Sequence, residues 1–309
     1  MQKDVNSKAR DEEIVLSHDF ITKFKAVVKK LYGYEEYMDF LIVPSLLGKK
    51  TLSYLPFMNY TDKKHDQVED LLELAKGNKY QIRVLDFTYT DFLPDDTVTM
   101  RIDIQNRSSD EVFKTSVKRM CRKSIRKSNK NNFTFSYGNS KKDIDDFYTI
   151  FSNTMCMHGT PVIDKRFFIY LAEEFEDNII FCNTYDEKKI IASSCILLDK
   201  EIAWAAWGGV DMYYRDKNAG YFADWEIIKL LCDNYKNIKI YDFGRSPFKG
   251  GTYNYKIHFG AYPVKIDTIS SEKEDIYSKY ALASKIWKKL PKSVVDYIGP
   301  KLCRYLIDL

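Results

Sequence analysis

Tyr241-Asp242-Phe243-Gly244-Arg245-Ser246-Pro247-Phe248-Lys249-Gly250-Gly251-Thr252-Tyr253-Asn254-Tyr255-Lys256-Ile257-His258-Phe259-Gly260-Ala261 is the stretch on which the fold turns. The apolar run Ile238 to Phe243 predicts a strand whose end delivers Asp242, Arg245 and Ser246 to a turn. Gly250 and Gly251 then allow a bend, and the aromatic segment after it carries Lys256 back toward the strand end. Open α/β folds place ligands at strand ends of this kind. Scattered surface charges would read as a solvated loop; so many constrained residue types together favour a site.

Working outward, Ile179–Tyr185, Ile190–Leu198 and Ile202–Gly209 are three apolar runs separated by tight turns at Asp186–Lys189 and Asp199–Lys200. They predict an antiparallel meander. Phe133–Tyr137 is a strand before them and Ala261–Ile269 a strand after the glycine bend. Helical spacing covers Lys141–Met157, Asp164 (as cap) to Phe175, and Tyr221–Tyr235. The first section is looser. It reads as a helix over Asp19–Leu31 between Ser17 and Gly33, strands over Tyr37–Val43 and Lys50–Leu55, a helix over Lys64–Lys76, and strands over Tyr80–Phe87 and Thr97–Ile104. One long helix, Ser109–Lys130, joins the sections. Its Lys114, Lys118, Arg122, Arg126 and Lys130 recur every four residues, and no acid falls between Lys114 and Lys130. A solvated face explains most of these charges; contact with tRNA or a pyrophosphate-linked acceptor is the functional reading.

Bulk properties exclude several classes. The formal charge of +4 over 309 residues rules out a generic nucleic-acid sponge. Six cysteines and four histidines are dispersed, with no metal-ligand spacing, so reduced core thiols, a cytosolic setting and no metal are expected. No apolar run reaches the ~20 residues of a membrane span. The tail Ile286–Leu309 mixes apolar residues with Lys288, Lys289, Lys292, Lys301 and Arg304, which fits either helices packed on the body or an amphipathic segment at a membrane surface.

Two further stretches carry candidate chemistry. Arg215, Asn218 and Gly220 lie in a polar loop between an apolar strand and a helix, where backbone amides and the helix dipole suit a phosphate. An ordinary strand-to-helix loop reads the same way. His158 precedes Gly159-Thr160-Pro161; it is a base or hydrogen-bonding group on one reading and a helix-ending histidine on the other, with the second favoured by physics alone.

The element order resembles the GNAT acyltransferase layout, and motifs in register across almost the whole chain resemble its FemAB-related branch. These are Ser53 to Phe57, Arg122-Lys123-Ser124-Ile125-Arg126-Lys127, Phe147-Tyr148 through His158-Gly159-Thr160-Pro161, and Asp242 to Ser246 with Gly251-Thr252-Tyr253, Lys256 and Phe259-Gly260-Ala261. The chain departs at Tyr60-Thr61, where the family often has a glycine pair. The resemblance implies a mixed α/β fold of two tandem GNAT-like domains. Residues 1–130 would form the first, partial one, 131–272 the second, and 273–309 a C-terminal helical tail. It implies transfer of an acyl or aminoacyl group to an amine of a cell-envelope precursor, with aminoacyl-tRNA or acyl-CoA as co-substrate and no permanent cofactor. Lys256 matches the lysine that meets the oxyanion; Asp242 orients Arg245, pairs with it or takes the amine proton, and His158 is the third catalytic candidate. Arg245, Ser246, Thr252, Tyr253, Arg122 and Arg126 fall to substrate binding, and Arg215, Asn218 and Gly220 to a pyrophosphate. An acyl-CoA-dependent N-acetyltransferase acting on a small amine, and a non-catalytic RNA-binding or scaffold protein, are the competing readings.

Overall fold

A computed structural model describes residues 13–45, 48–94, 96–271 and 283–306. Among these described residues, eleven strands form one continuous sheet. They are β1 (Glu35–Tyr37), β2 (Phe40–Pro44), β3 (Lys50–Ser53), β4 (Tyr80–Asp86), β5 (Thr97–Asp103), β6 (Thr134–Gly138), β7 (Ile179–Asp186), β8 (Lys189–Asp199), β9 (Ile202–Val210), β10 (Ile240–Pro247) and β11 (Tyr262–Ser270). Their spatial order is β1-β2-β3-β4-β11-β5-β10-β9-β8-β7-β6. The expected meander is present as β7-β8-β9, and β10 then joins β9 in parallel. The first half repeats the plan: β1-β2-β3 run antiparallel and β4 joins β3 in parallel.

The halves then exchange their last strands. β5 follows β4 in sequence yet pairs with β10, while β11 follows β10 yet pairs with β4 and β5. Backbone hydrogen bonding therefore runs unbroken from one half to the other, and the buried strands at the join carry Val98, Met100 and Ile102.

Helices cover both faces. On one, α1 (His18–Tyr32), α2 (Glu69–Ala75), α5 (Lys141–His158) and α6 (Lys165–Phe175) bury an aromatic core that includes Phe24, Phe147, Phe167 and Phe168. On the other, α3 (Ser109–Thr115), α4 (Arg119–Ser128) and α7 (Ala219–Asn234) pack Cys121, Ile125, Trp225 and Ile228 against β5, β10 and β9. Local signals explain the ends. Ser17, Ser108, Ser140 and Asp164 cap α1, α3, α5 and α6 through their side-chain oxygens, and Gly33 and Gly159 leave α1 and α5 in left-handed conformation.

Three expectations change. The strand expected over Tyr37–Val43 is a hairpin, β1–β2, turning at Met38 with φ 51°, where no glycine marks the bend. The helix expected over Lys64–Lys76 starts only at Glu69, after a single 3-10 turn. The long basic helix is two, α3 and α4, because Lys118 takes an extended conformation and its N–H bonds the His258 carbonyl. Gly260 makes this approach possible: at φ +92° its missing Cβ would lie 2.5 Å from the Ser116 carbonyl oxygen.

The C-terminal helix, Lys292–Cys303, lies on the body. Val295, Gly299 and Cys303 are buried, the Cys303 thiol donates to the Val162 carbonyl, and a Cβ on Gly299 would stand 2.9 Å from the Val162 nitrogen.

Candidate active site

The site forms where two parallel strands part. β9 and β10 stay in register only from Ile202↔Ile240 to Trp204↔Asp242. Beyond that, β10 bulges against β5 between Asp242 and Arg245, and β9 loses register with β8 opposite Cys195 and Ile196. Bulges bend and re-aim strands; two of them on facing strands open a wedge of about 490 Å³. Gly244 makes the β10 bulge possible. It sits at φ +76°, and a Cβ there would be 3.0 Å from the Ala205 carbonyl oxygen. Asn59, reaching in from the first half of the chain, bridges the open strands: with its amide oxygen turned inward it accepts from the Arg245 N–H and the Trp204 indole, each at 3.2 Å.

Beneath the wedge lies a charge knot. Asp242 is fully buried, and its carboxylate accepts from the Tyr60 hydroxyl (2.9 Å), the Thr99 hydroxyl, the Arg101 Nε (2.9 Å) and the Gly244 N–H (2.8 Å). The guanidinium paired with Asp242 is therefore that of Arg101, which the sequence reading did not consider; the expected partner was Arg245. Asp242 does not line the wedge. By bonding the Gly244 N–H it holds the bulge that turns two carbonyls toward Lys256.

Lys256 stands in the last turn of α8 (Gly251–His258) and donates to the Gly244 carbonyl (2.9 Å) and the Arg245 carbonyl (3.0 Å). Burial pushes its ammonium down to about 8, against the pull of Asp242 and Asp224. Gly250 serves as the residue before α8 rather than as a free bend. Beside Lys256, the Tyr255 hydroxyl donates to the Asp224 carboxylate at 2.7 Å. Burial pushes Asp224 up to about 6, while the Tyr255 hydrogen bond and Lys256 hold it down. Asp224 was missed at the sequence level: it sits in the apolar-rich run Ala219–Leu231, and only its spacing of four from Gly220 hinted at a shared face.

The other sequence-predicted residues divide. Arg245, Thr252, His158 and Gly220 line the wedge with Lys256. His158 ends α5, and partial burial, then Lys288 and Arg215, lower its pKa. Asn218 does adopt the left-handed conformation, φ 60°, immediately before α7, and no side chain caps that helix. The first-turn amides of α7 thus have no side-chain cap, and Gly220 of that turn lines the wedge. Arg215 is an exposed residue of the preceding loop. Ser246 is buried away from the wedge, and the Tyr253 ring packs edge-on against Phe248 at 5.0 Å. Arg122 donates to the carbonyls of Phe113, Lys114 and Val117 at the end of α3, and Arg126 lies over the Phe113 ring at 5.5 Å. The structure therefore does not bring these last four to the wedge.

Residues 115–257 match the family described as the acetyltransferase (GNAT) domain. Among curated proteins none matches the chain by sequence. By structure the chain is similar to FemX, with a TM-score of 0.56 at 13% identity over 88% of this chain and 100% of that one. It is also similar to the C-terminal domain of a protein from Agrobacterium fabrum assigned as a lysylphosphatidylglycerol synthetase, with a TM-score of 0.52 at 12% identity over 86% and 94% of the two chains. A conserved protein from Bacteroides thetaiotaomicron gives 0.52 at 11% identity over 82% and 90%. Among the described residues, no helix is long and apolar enough to cross a membrane.

Proposed function

We propose that this chain, a GNAT-fold acyltransferase of the FemAB-related type, forms an amide by moving an acyl or aminoacyl group from an activated ester or thioester onto an amine of a cell-envelope precursor. The observation that carries the reading is the placement of Lys256, a buried ammonium fixed by two carbonyls at the point where β9 and β10 part. Attack on an ester or thioester builds negative charge on the carbonyl oxygen, and a preorganised cation in a dry cleft stabilises it far better than water does. Arg245 on the same wall serves a carboxylate or phosphate of the substrate. The likeness to FemX and to the Agrobacterium domain favours an aminoacyl donor and an envelope acceptor.

One feature favours a coenzyme A ester as donor instead. The uncapped first turn of α7, with Asn218 and Gly220 at the rim, suits a pyrophosphate. Arg215 in the adjoining loop would add charge. On the His158 side, where the Ser284 hydroxyl donates to the His158 carbonyl, Met157, Lys285, Ile286, Lys288 and Lys289 are exposed, which supports peripheral contact with an anionic membrane surface and a lipid-linked acceptor. The test is a thermal-shift screen of coenzyme A esters against aminoacyl-tRNA. The account expects one class to raise the melting temperature in proportion to its occupancy; no shift with either would refute it.

A further inference from the structure

Asp224 is the only carboxylate among the described residues lining the wedge. It projects from α7, is half-buried, and is oriented by the Tyr255 hydroxyl at 2.7 Å. We infer that Asp224 is the general base that takes the proton from the attacking amine, that Tyr255 positions it, and that Lys256 meets the oxyanion on the same wall. The inference rests on the amide-forming reading of the site. Two kinds of acid–base work are needed there, and the wedge supplies two groups whose environments drive them toward each other: burial raises the carboxyl and lowers the ammonium. A carboxylate of ordinary acidity would be a weak base for the N–H proton that turns acidic as the C–N bond forms; one raised by burial is better matched to the task.

The proton balance closes on this one residue. The amine nitrogen attacks the acyl carbon, a C–N bond forms, and the N–H proton passes to the Asp224 carboxylate. The tetrahedral intermediate then collapses, the donor's C–O or C–S bond breaks, and Asp224 returns the same proton to the departing oxygen or sulfur. The titratable groups that face Asp224 are Lys256 and Tyr255 on α8, Tyr241 on β10, Cys121 on α4, Cys182 on β7 and, on its own helix, Tyr221. All but Lys256 are neutral near pH 6, because burial raises each phenol and thiol above its ordinary value.

The test is the pH dependence of amide formation with the donor that stabilises the enzyme and glucosamine as the amine probe, followed by mass spectrometry. Wild-type kcat/KM should rise through a limb near pH 6. Asp224→Asn should lose roughly 10²- to 10⁴-fold in kcat and lose the limb. Tyr255→Phe removes the hydrogen bond that favours the carboxylate, so it should keep most of the rate while the limb moves to higher pH. Turnover by Asp224→Asn within about threefold of wild type, or a limb unmoved in Tyr255→Phe, overturns the assignment and leaves the amide-forming reading standing. Absence of amide from the wild type with either donor overturns the reading and the assignment together.

Discussion

Asp242→Asn should cost this protein more stability than almost any other single-atom change. The carboxylate has zero exposure and receives four donors, from Tyr60, Thr99, Arg101 and Gly244. Asparagine offers one acceptor oxygen, and whichever way its NH₂ group turns it meets either the Arg101 Nε–H or the Gly244 N–H, neither of which can accept. Arg101, 1% exposed, keeps a bond to the Ile14 carbonyl and its stack on Tyr60 but loses its counter-charge. Breaking one partner of a buried ion pair costs about 3–5 kcal/mol. At about 2–4 °C per kcal/mol for a chain of this order of size, the melting temperature should fall by roughly 6–20 °C. Scanning calorimetry of wild type, Asp242→Asn, Arg101→Met and the double variant measures this directly. The double variant should lose less than the sum of the singles, since no unpaired buried charge remains in it. A drop of under about 1 kcal/mol in Asp242→Asn, or strict additivity, would show that the knot is wetter or looser than its geometry states.

Lys256→Met should lower amide formation by about 10²–10³ while raising the melting temperature at neutral pH. Burial disfavours the charged form, so the folded ammonium titrates near 8 instead of 10.5. Its cost to stability is fully present below pH 8 and fades as pH rises toward 10.5; a variant less stable than wild type at pH 7 would contradict this. Asn218→Gly should be neutral or mildly stabilising and Asn218→Ala should cost about 1 kcal/mol, because φ is 60° there; urea denaturation midpoints separate them, and equal values would refute the backbone argument. Deleting the chain from residue 283 onward should lower the melting temperature, since Val295 and Cys303 are fully buried. It should also weaken co-sedimentation with anionic vesicles; unchanged binding would remove the tail from any membrane contact.

The sequence was most legible where local chemistry acts alone. Turn residues framed the β7–β8–β9 meander, the Ser17 and Asp164 caps marked α1 and α6, and the glycine-rich stretch after β10 located the wedge and Lys256. It was least legible where partners lie far apart in the chain. Nothing local announces that β11 slots between β4 and β5, or that Asp242 meets Arg101, 141 residues away. The break between α3 and α4 is invisible for the same reason: a continuous helical pattern is overridden by one hydrogen bond from Lys118 to His258 and by the room that Gly260 leaves. Asp224 escaped notice because an acid in an amphipathic helix is usually solvated, and only the parting of β9 from β10 turns that helix face into a cleft wall.

The central claim is amide formation in that wedge. The most direct measurement is mass-spectrometric detection of the acylated amine after incubation with aminoacyl-tRNA or a coenzyme A ester, comparing wild type with Lys256→Met. The account predicts an amide product from the wild type with one of the two donors and a loss of about 10²-fold or more in the variant. Equal product from both proteins, or donor consumed by hydrolysis with no amide formed, would contradict it.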